Sequence, residues 1–170
     1  TRRGAEVLIG ESFVGDGTEA AHVTTVLGAS DGPVGAAWVT ALATPRAGHA
    51  SFLVVAQPGT ACLPPTLFVN KAAVSGDGHA RLTWGPAQAG VARGVGLAIE
   101  DGTIDREQVS RLVLVAAVWV DPRAADEGAV YENNTAATRE ALKRGAEGGP
   151  GLEEFLAASR SPFNPFFRPA

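Results

Sequence analysis

Cysteine is almost missing from this chain. Cys62 stands alone, which rules out a disulfide framework and a cysteine-based metal site. Three scattered histidines give no basis for a zinc cluster either. An excess of basic residues is also lacking: the formal net charge is −4, and no basic stripe is interleaved with aromatics. That balance argues against a nucleic-acid surface. Long apolar runs are absent. The longest uninterrupted one, residues 112–120, is too short to cross a bilayer. No charged-then-apolar signal segment opens the chain, which begins at Thr1. Internal repeats and a second composition regime are lacking too. The expectation is one cytoplasmic domain over residues 1–160, followed by a Pro/Phe-rich tail over 161–170. A hydrophobic content of 45% over 170 residues is ample for a single core.

What is present begins with Gly10-Glu11-Ser12-Phe13-Val14-Gly15-Asp16-Gly17-Thr18-Glu19-Ala20-Ala21-His22. It reads as two strands, residues 5–14 and 20–28, joined by a two-residue type I′ turn at Asp16-Gly17. Val7, Ile9, Val23 and Val26 are among their apolar positions. The turn sets the register, and the register sets the face to which His22 points. A side chain that titrates near neutrality is thereby held on a stiff element. On the residues alone, a strand histidine is first of all one that caps a core or faces water.

Ser30-Asp31-Gly32-Pro33 predicts a helix start. That helix runs to about residue 43, with Val34, Trp38, Val39 and Leu42 on one stripe. Residues 51–56 predict a short buried strand, 57–65 a Pro/Gly loop, and 66–74 the next strand. Gly76-Asp77-Gly78 predicts a turn before a short strand near 80–84. Pro86 then opens a helix to about residue 100, with Val91, Val95, Ala98 and Ile99 inward. A helical turn over 105–112 leads into a strand over 112–120, and a third helix spans about 129–147. Hairpins alternating with packed helices point to an α+β fold of two layers, an antiparallel-rich sheet packed with helices. Gly94 and Gly96 lie inside a helix without the third glycine of a dinucleotide loop, so close helix packing accounts for them. His49 and His79, in glycine-flanked stretches, read as solvent histidines. Glu11 and Asp16 read as structural, and Glu19 as a candidate to face the site from the hairpin's far strand.

The opening segment resembles the N-terminal signature of the formaldehyde-activating enzymes, which are tetrahydromethanopterin hydro-lyases. The likeness continues through Thr66-Leu67-Phe68-Val69-Asn70-Lys71, Gly85-Pro86-Ala87-Gln88 with Gly90-Val91-Ala92, the apolar strand over 112–120 and the helix around Tyr131. These blocks follow the family's order over nearly the whole chain. The resemblance implies a ribosomal-protein-S5-domain-2-like topology and a homopentamer with sites between neighbouring subunits. It implies formaldehyde and a reduced, tetrahydromethanopterin-like pterin as co-substrates, with no metal and no permanently bound cofactor. On the residues themselves, Phe163, Phe166 and Phe167 are many aromatics for an idle tail, which is expected to dock onto a neighbouring subunit, with simple disorder as the competing reading.

By the same resemblance His22 matches the catalytic histidine. Formaldehyde adds to an amine to give an N-hydroxymethyl adduct, whose hydroxyl needs a proton to leave. An imidazole suits that donation, since its reference pKa of roughly 6.5 leaves both forms available. Lys71, Gln88 and Leu53 match substrate-binding positions. On the residues alone they are a solvated lysine, a surface glutamine near a helix start and a core leucine. Direct capture of formaldehyde by a desolvated Lys71 amine ranks below a binding role, because formaldehyde reacts with many lysines unaided. Two positions depart from the family pattern. Thr24 stands where the family has an acidic residue, on the same strand face as His22. Ala73 stands where the family has threonine. These departures keep two alternatives open: a non-catalytic binder of formaldehyde or a pterin, and an enzyme for a different amine or carbonyl.

Overall fold

Alternating side chains set the first two strands, β1 (Leu8–Val14) and β2 (Ala21–Ala29). They pair antiparallel in the computed structural model, which describes residues 7–169. The ladder closes with Val14 opposite Ala21, so residues 15–20 form the link. A 3-10 turn occupies Gly17–Glu19; Gly15 and Gly17 take φ of 83° and 65°, while Asp16 is extended at φ −127°. The expected type I′ turn is therefore corrected, because it requires positive φ at both central residues and Asp16 supplies none. A two-residue turn there would have set His22 opposite Glu11, whereas the ladder sets it opposite Phe13. A shift of two residues leaves a side chain on the same face. Val7 and Ile9 are exposed, unlike the buried Val23.

Helix α1 (Pro33–Ala43) starts at the predicted proline. Val34 is buried, but Val39 and Leu42 stay exposed, so the expected stripe is only partly covered. The predicted strand over 51–56 is split into β3 (Phe52–Leu53) and β4 (Val55–Gln57) around the buried Val54. Strand β5 (Thr60–Ala61) pairs with β4 inside the expected loop, and β6 (Thr66–Asn70) ends sooner than predicted.

The strand expected near 80–84 is absent. In its place run α2 (Gly76–Leu82), one wide π-type turn at Thr83–Ala87, and α3 (Gln88–Glu100). His79, Leu82, Thr83 and Ala87 are the buried residues there, a helical rather than a strand spacing. Pro86 sits within this helical run and does not open it. A proline lacks the N–H that a helix interior uses, and a π-type turn absorbs that defect. A 3-10 turn at Val109–Arg111 precedes β7 (Leu112–Trp119), as predicted. Helix α4 (Glu127–Ala146) is capped by Asp126, whose side chain accepts from Ala129 N at 3.0 Å. Helix α5 (Leu152–Ser159) was not anticipated.

The main sheet has the order β1-β2-β7-β6-β3. Among the described residues only β6 and β7 are parallel; the other pairs are antiparallel. That single parallel pair requires a crossover, which the α2–α3 run provides. The α+β expectation holds. Val23, Leu27, Phe68, Leu114 and Val118 from the sheet share one core with Val91, Val95 and Ala98 of α3 and Val130, Ala137 and Ala141 of α4. The helix lies very close: a Cβ on Gly10 would fall 1.7 Å from the Ala141 carbonyl oxygen. Gly94 shows the expected tight packing, since a Cβ there would lie 2.6 Å from Thr138. Gly96 does not, its nearest neighbour being 3.8 Å away.

His79 is corrected as well. It is buried, accepts from Ser75 N at 3.0 Å on Nδ1, and donates from Nε2 to the Val120 carbonyl at 2.9 Å. Both ring nitrogens thus serve the backbone. His49 is half-buried, with Nδ1 2.9 Å from the Asn70 carbonyl.

Candidate active site

The helices α3 and α4 cover one face of the sheet. On the other, register alone brings together Glu11 and Phe13 of β1, His22 and Thr24 of β2, and Ala117 and Trp119 of β7. Glu11 lies opposite Thr24, and Thr24 opposite Ala117; Phe13 lies opposite His22, and His22 opposite Trp119. None of the six belongs to the buried core. Helix α1 packs against β2 and β7 and buries Leu67 and Val113 of this face with its own Val34, but these six lie beyond it. A stretch of sheet bearing a partly exposed carboxylate, imidazole and aromatics needs an explanation other than packing.

The His22 ring is clamped. It stacks on Phe13 with centroids 3.6 Å apart and planes 6° from parallel. Nδ1 lies 3.2 Å from Lys71 Nζ, and Nε2 lies 3.0 Å from Glu11 Oε1, close enough for an ion pair but poorly aligned for a hydrogen bond. Burial, and after it the Lys71 ammonium, hold the imidazole below its ordinary pKa; Glu11 pulls the other way. With Lys71 donating to Nδ1, the ring proton resides on Nε2, facing the carboxylate.

Lys71 follows the last residue of β6, and its backbone N–H donates to the Val118 carbonyl at 2.8 Å, extending the parallel ladder. Two strand spacings, about 10 Å, separate β6 from β2. The lysine side chain reaches across β7, which carries only the methyl of Ala117 opposite Thr24, and donates to Thr24 Oγ1 at 2.8 Å. The ammonium is half-buried, and no carboxylate among the described residues lies within ion-pair distance of it. Burial lowers its pKa, with Glu11 opposing.

Of the sequence-predicted residues, His22, Thr24 and Lys71 therefore meet. Leu53 shares their face through its pairing with Leu67, but sits three strand spacings from β2, about 14 Å. Ala73 is exposed and rests against Gly48. Gln88 lies in the middle of the helical run, so the free backbone donors expected of a first turn are not available there. Its Oε1 accepts from Val55 N at 2.6 Å, which ties α3 to β4. Within one chain Leu53, Ala73 and Gln88 make no hydrogen bond to His22 or Lys71. Glu19 is not at the site: its carboxylate accepts from Thr18 Oγ1 at 2.7 Å and Ala125 N at 3.1 Å, and Asn133 Nδ2 donates to its carbonyl.

The tail returns to the site's edge. Phe166 packs edge-on against Trp119 at 5.2 Å and Phe13 at 6.4 Å. Phe163, Phe166 and Phe167 all remain more than half exposed. Between the tail and the β1–β2 link lies a cleft of about 950 Å³, bordered by Glu11, Phe13, Trp119 and Phe166. A larger cavity of about 1220 Å³, at the opposite end of the sheet near Leu27 and Arg111, contains none of the site residues. Among the described residues no group of His, Cys, Asp or Glu is arranged to hold a metal ion. None of their helices is long and apolar enough to cross a membrane.

Sequence reasoning missed Glu11 as a neighbour of His22, and missed Phe13 and Ala117 altogether. The signal for Glu11 and Phe13 was the alternation along 9–13, legible only once the ladder with β2 is known. Ala117 carried none, because it matters by its small size.

The formaldehyde-activating enzyme family profile matches residues 9–167. The chain is 40% identical to the 5,6,7,8-tetrahydromethanopterin hydro-lyase of Methanosarcina barkeri, over 94% of this chain and 89% of that protein. It is 39% identical to the bifunctional enzyme Fae/Hps of Archaeoglobus fulgidus, covering 95% of this chain but 41% of that one. A bifunctional enzyme Fae/Hps of Methanococcoides burtonii is 40% identical over 88% of this chain and 38% of its own length. The likeness thus spans nearly all of the first relative and about two-fifths of the bifunctional ones.

Proposed function

Because the chain belongs to the formaldehyde-activating enzyme family, we propose that it is a hydro-lyase condensing formaldehyde with tetrahydromethanopterin or a similar reduced pterin, with His22 as the general acid. The observation that carries this reading is the clamped, partly exposed imidazole between Lys71 and Glu11. The bond to be broken is the C–O bond of the N-hydroxymethyl adduct. A proton from the imidazolium lets the hydroxyl leave as water, and the pterin's second amine closes on the iminium carbon. Glu11, beside Nε2, stabilises the imidazolium that must form first. The stack on Phe13 fixes the ring plane, so the proton is aimed before substrate arrives.

No permanently bound cofactor enters this scheme; the pterin is a co-substrate. Leu53, Ala73 and Gln88 lie away from His22 within one chain, so their substrate-binding roles call for a neighbouring copy. We accordingly assign the site to a subunit boundary in a homopentamer of S5-domain-2-like chains, working in the cytoplasm. Residues 161–170 then pack against the neighbouring subunit as an appendage to the 1–160 domain.

Stopped-flow mixing of formaldehyde and tetrahydromethanopterin tests the reading. The wild type accelerates condensation, and His22→Ala loses about 10²–10⁴-fold, the range of a positioned general acid. An unaccelerated wild type that still binds the pterin tightly would instead support a binding protein. Lys71 donating to Thr24 favours that second reading, because a hydroxyl cannot recharge the imidazole as a carboxylate would. Thr24→Asp separates the two: turnover rises if the position limits protonation of His22, and is unmoved if the chain only binds.

A further inference from the structure

We propose that Lys71 is a covalent carrier of the one-carbon unit, its amine capturing formaldehyde as an iminium beside His22 before the pterin receives it. This rests on the formaldehyde reading above, and goes beyond the substrate-holding role that the family resemblance implies for this lysine.

Three features of the geometry single this amine out. It is half-buried and, among the described residues, has no carboxylate within ion-pair distance. A desolvated ammonium without a counter-ion gives up its proton more readily than an exposed one. Its two hydrogen-bond partners are the neutral groups His22 Nδ1 at 3.2 Å and Thr24 Oγ1 at 2.8 Å. A proton acceptor therefore touches the nitrogen that has to lose a proton. Lastly, the other edge of the imidazole faces Glu11 at 3.0 Å, so an imidazolium formed by that transfer is paired at once. Moving one proton from Nζ to Nδ1 creates a nucleophile and an acid in contact.

The steps balance. The Lys71 ammonium passes a proton to His22, and the free amine adds to the carbonyl carbon of formaldehyde, giving an N-hydroxymethyl lysine. The imidazolium returns its proton to that hydroxyl, the C–O bond breaks, and water departs. Lys71 is left as a cationic methylene iminium beside a neutral His22. One pterin amine adds to the iminium carbon, the C–N bond to Lys71 breaks, and the second amine closes the ring. The two N–H protons released by the pterin restore the Lys71 ammonium. Nothing is oxidised or reduced.

The chain has only two lysines, Lys71 and Lys143, which provides an internal control. Lys143 is well exposed on α4, 4.0 Å from Glu147, as an ordinary surface lysine would be. The wild-type protein is treated with limiting formaldehyde and cyanoborohydride, and the single methyl group that reduction leaves is mapped by peptide mass spectrometry. Lys71, half-buried and in contact with a proton acceptor, is expected to take several-fold more label than the exposed Lys143. Tetrahydromethanopterin added before the reductant should discharge that label, and His22→Gln should weaken it. Lys71→Arg keeps the charge but cannot form the iminium, so kcat should fall about a hundredfold or more with KM little changed. Lys143→Arg should leave turnover as it was.

Equal or heavier labelling of Lys143, a Lys71 label that the pterin does not discharge, or a Lys71→Arg variant that keeps kcat and loses only KM would each overturn the proposal. Those results leave the hydro-lyase reading standing if the wild type still accelerates condensation. A wild type without acceleration removes that reading whatever the labelling pattern.

Discussion

The two faces of the sheet follow different rules. The face under α3 and α4 is filled by Val23, Leu27, Phe68, Leu114 and Val118, and approached so closely that Gly10 has no room for a methyl group. The other face is covered by α1 over Leu67 and Val113, and beyond that carries Glu11, Phe13, His22, Thr24 and Trp119, whose partners are one another, Lys71 and Phe166 of the tail. His79 and His22 show the same contrast in a single residue type. One has both nitrogens committed to backbone groups and is part of the scaffold; the other has both nitrogens next to charged side chains and can exchange protons. Position in a protein does not make a histidine catalytic. What matters is whether its partners can themselves gain, lose or move a proton.

The contrast breaks most readily by substitution on the packed face. Gly10→Ala forces a methyl into the Ala141 carbonyl, and overpacking of that kind costs about 1–3 kcal/mol or more. Thermal unfolding should register the loss, while turnover per folded molecule stays close to wild type. A tolerated Gly10→Ala would mean that α4 sits farther from β1 than described. His79→Ala orphans the buried Val120 carbonyl and releases the exposed Ser75 N–H to water, worth about 1–3 kcal/mol of stability. His22→Ala should cost little in stability, and similar losses for the two histidines would dissolve the distinction.

Smaller effects appear in the His22 titration, followed by NMR. Its midpoint should lie below the ordinary 6.5. The folded chain therefore binds fewer protons than the unfolded chain between that depressed value and 6.5. This group's contribution to stability is fully present above 6.5 and is lost as pH falls through the window. Glu11→Gln removes the group that raises the midpoint and should lower it further. Lys71→Met removes an ammonium that lowers it and should move it up. Ala117→Leu should act like Lys71→Met by blocking the lysine's path over β7. Shifts of the same sign for the Glu11 and Lys71 variants would contradict the clamp.

Much of this was legible beforehand. The Asp-Gly turn between two apolar segments located β1 and β2, the uninterrupted apolar run over 112–120 located β7, and Ser30-Asp31-Gly32-Pro33 located the start of α1. The error at 80–84 arose because a short apolar segment beside glycines reads equally as strand or helix, and burial of His79, Leu82 and Thr83 decided the matter. Proline is a common helix opener, so the sequence points to a first turn at Gln88, whereas a π-type turn carries Pro86 inside the run. His22, Thr24 and Lys71 were identified through family likeness. Their contacts could not be, since β2 and β6 are separated in the sheet by β7, which comes last in the chain.

Local chemistry thus specified the strands, the helix ends and the identity of the reactive side chains, because these depend on neighbours a few residues away. Only the folded sheet decided that a lysine just past the end of β6 reaches across β7 to an imidazole on β2, with a carboxylate from β1 on its far edge. Those distances come from strand order and register, which are set by the packing of α3 and α4 on the opposite face.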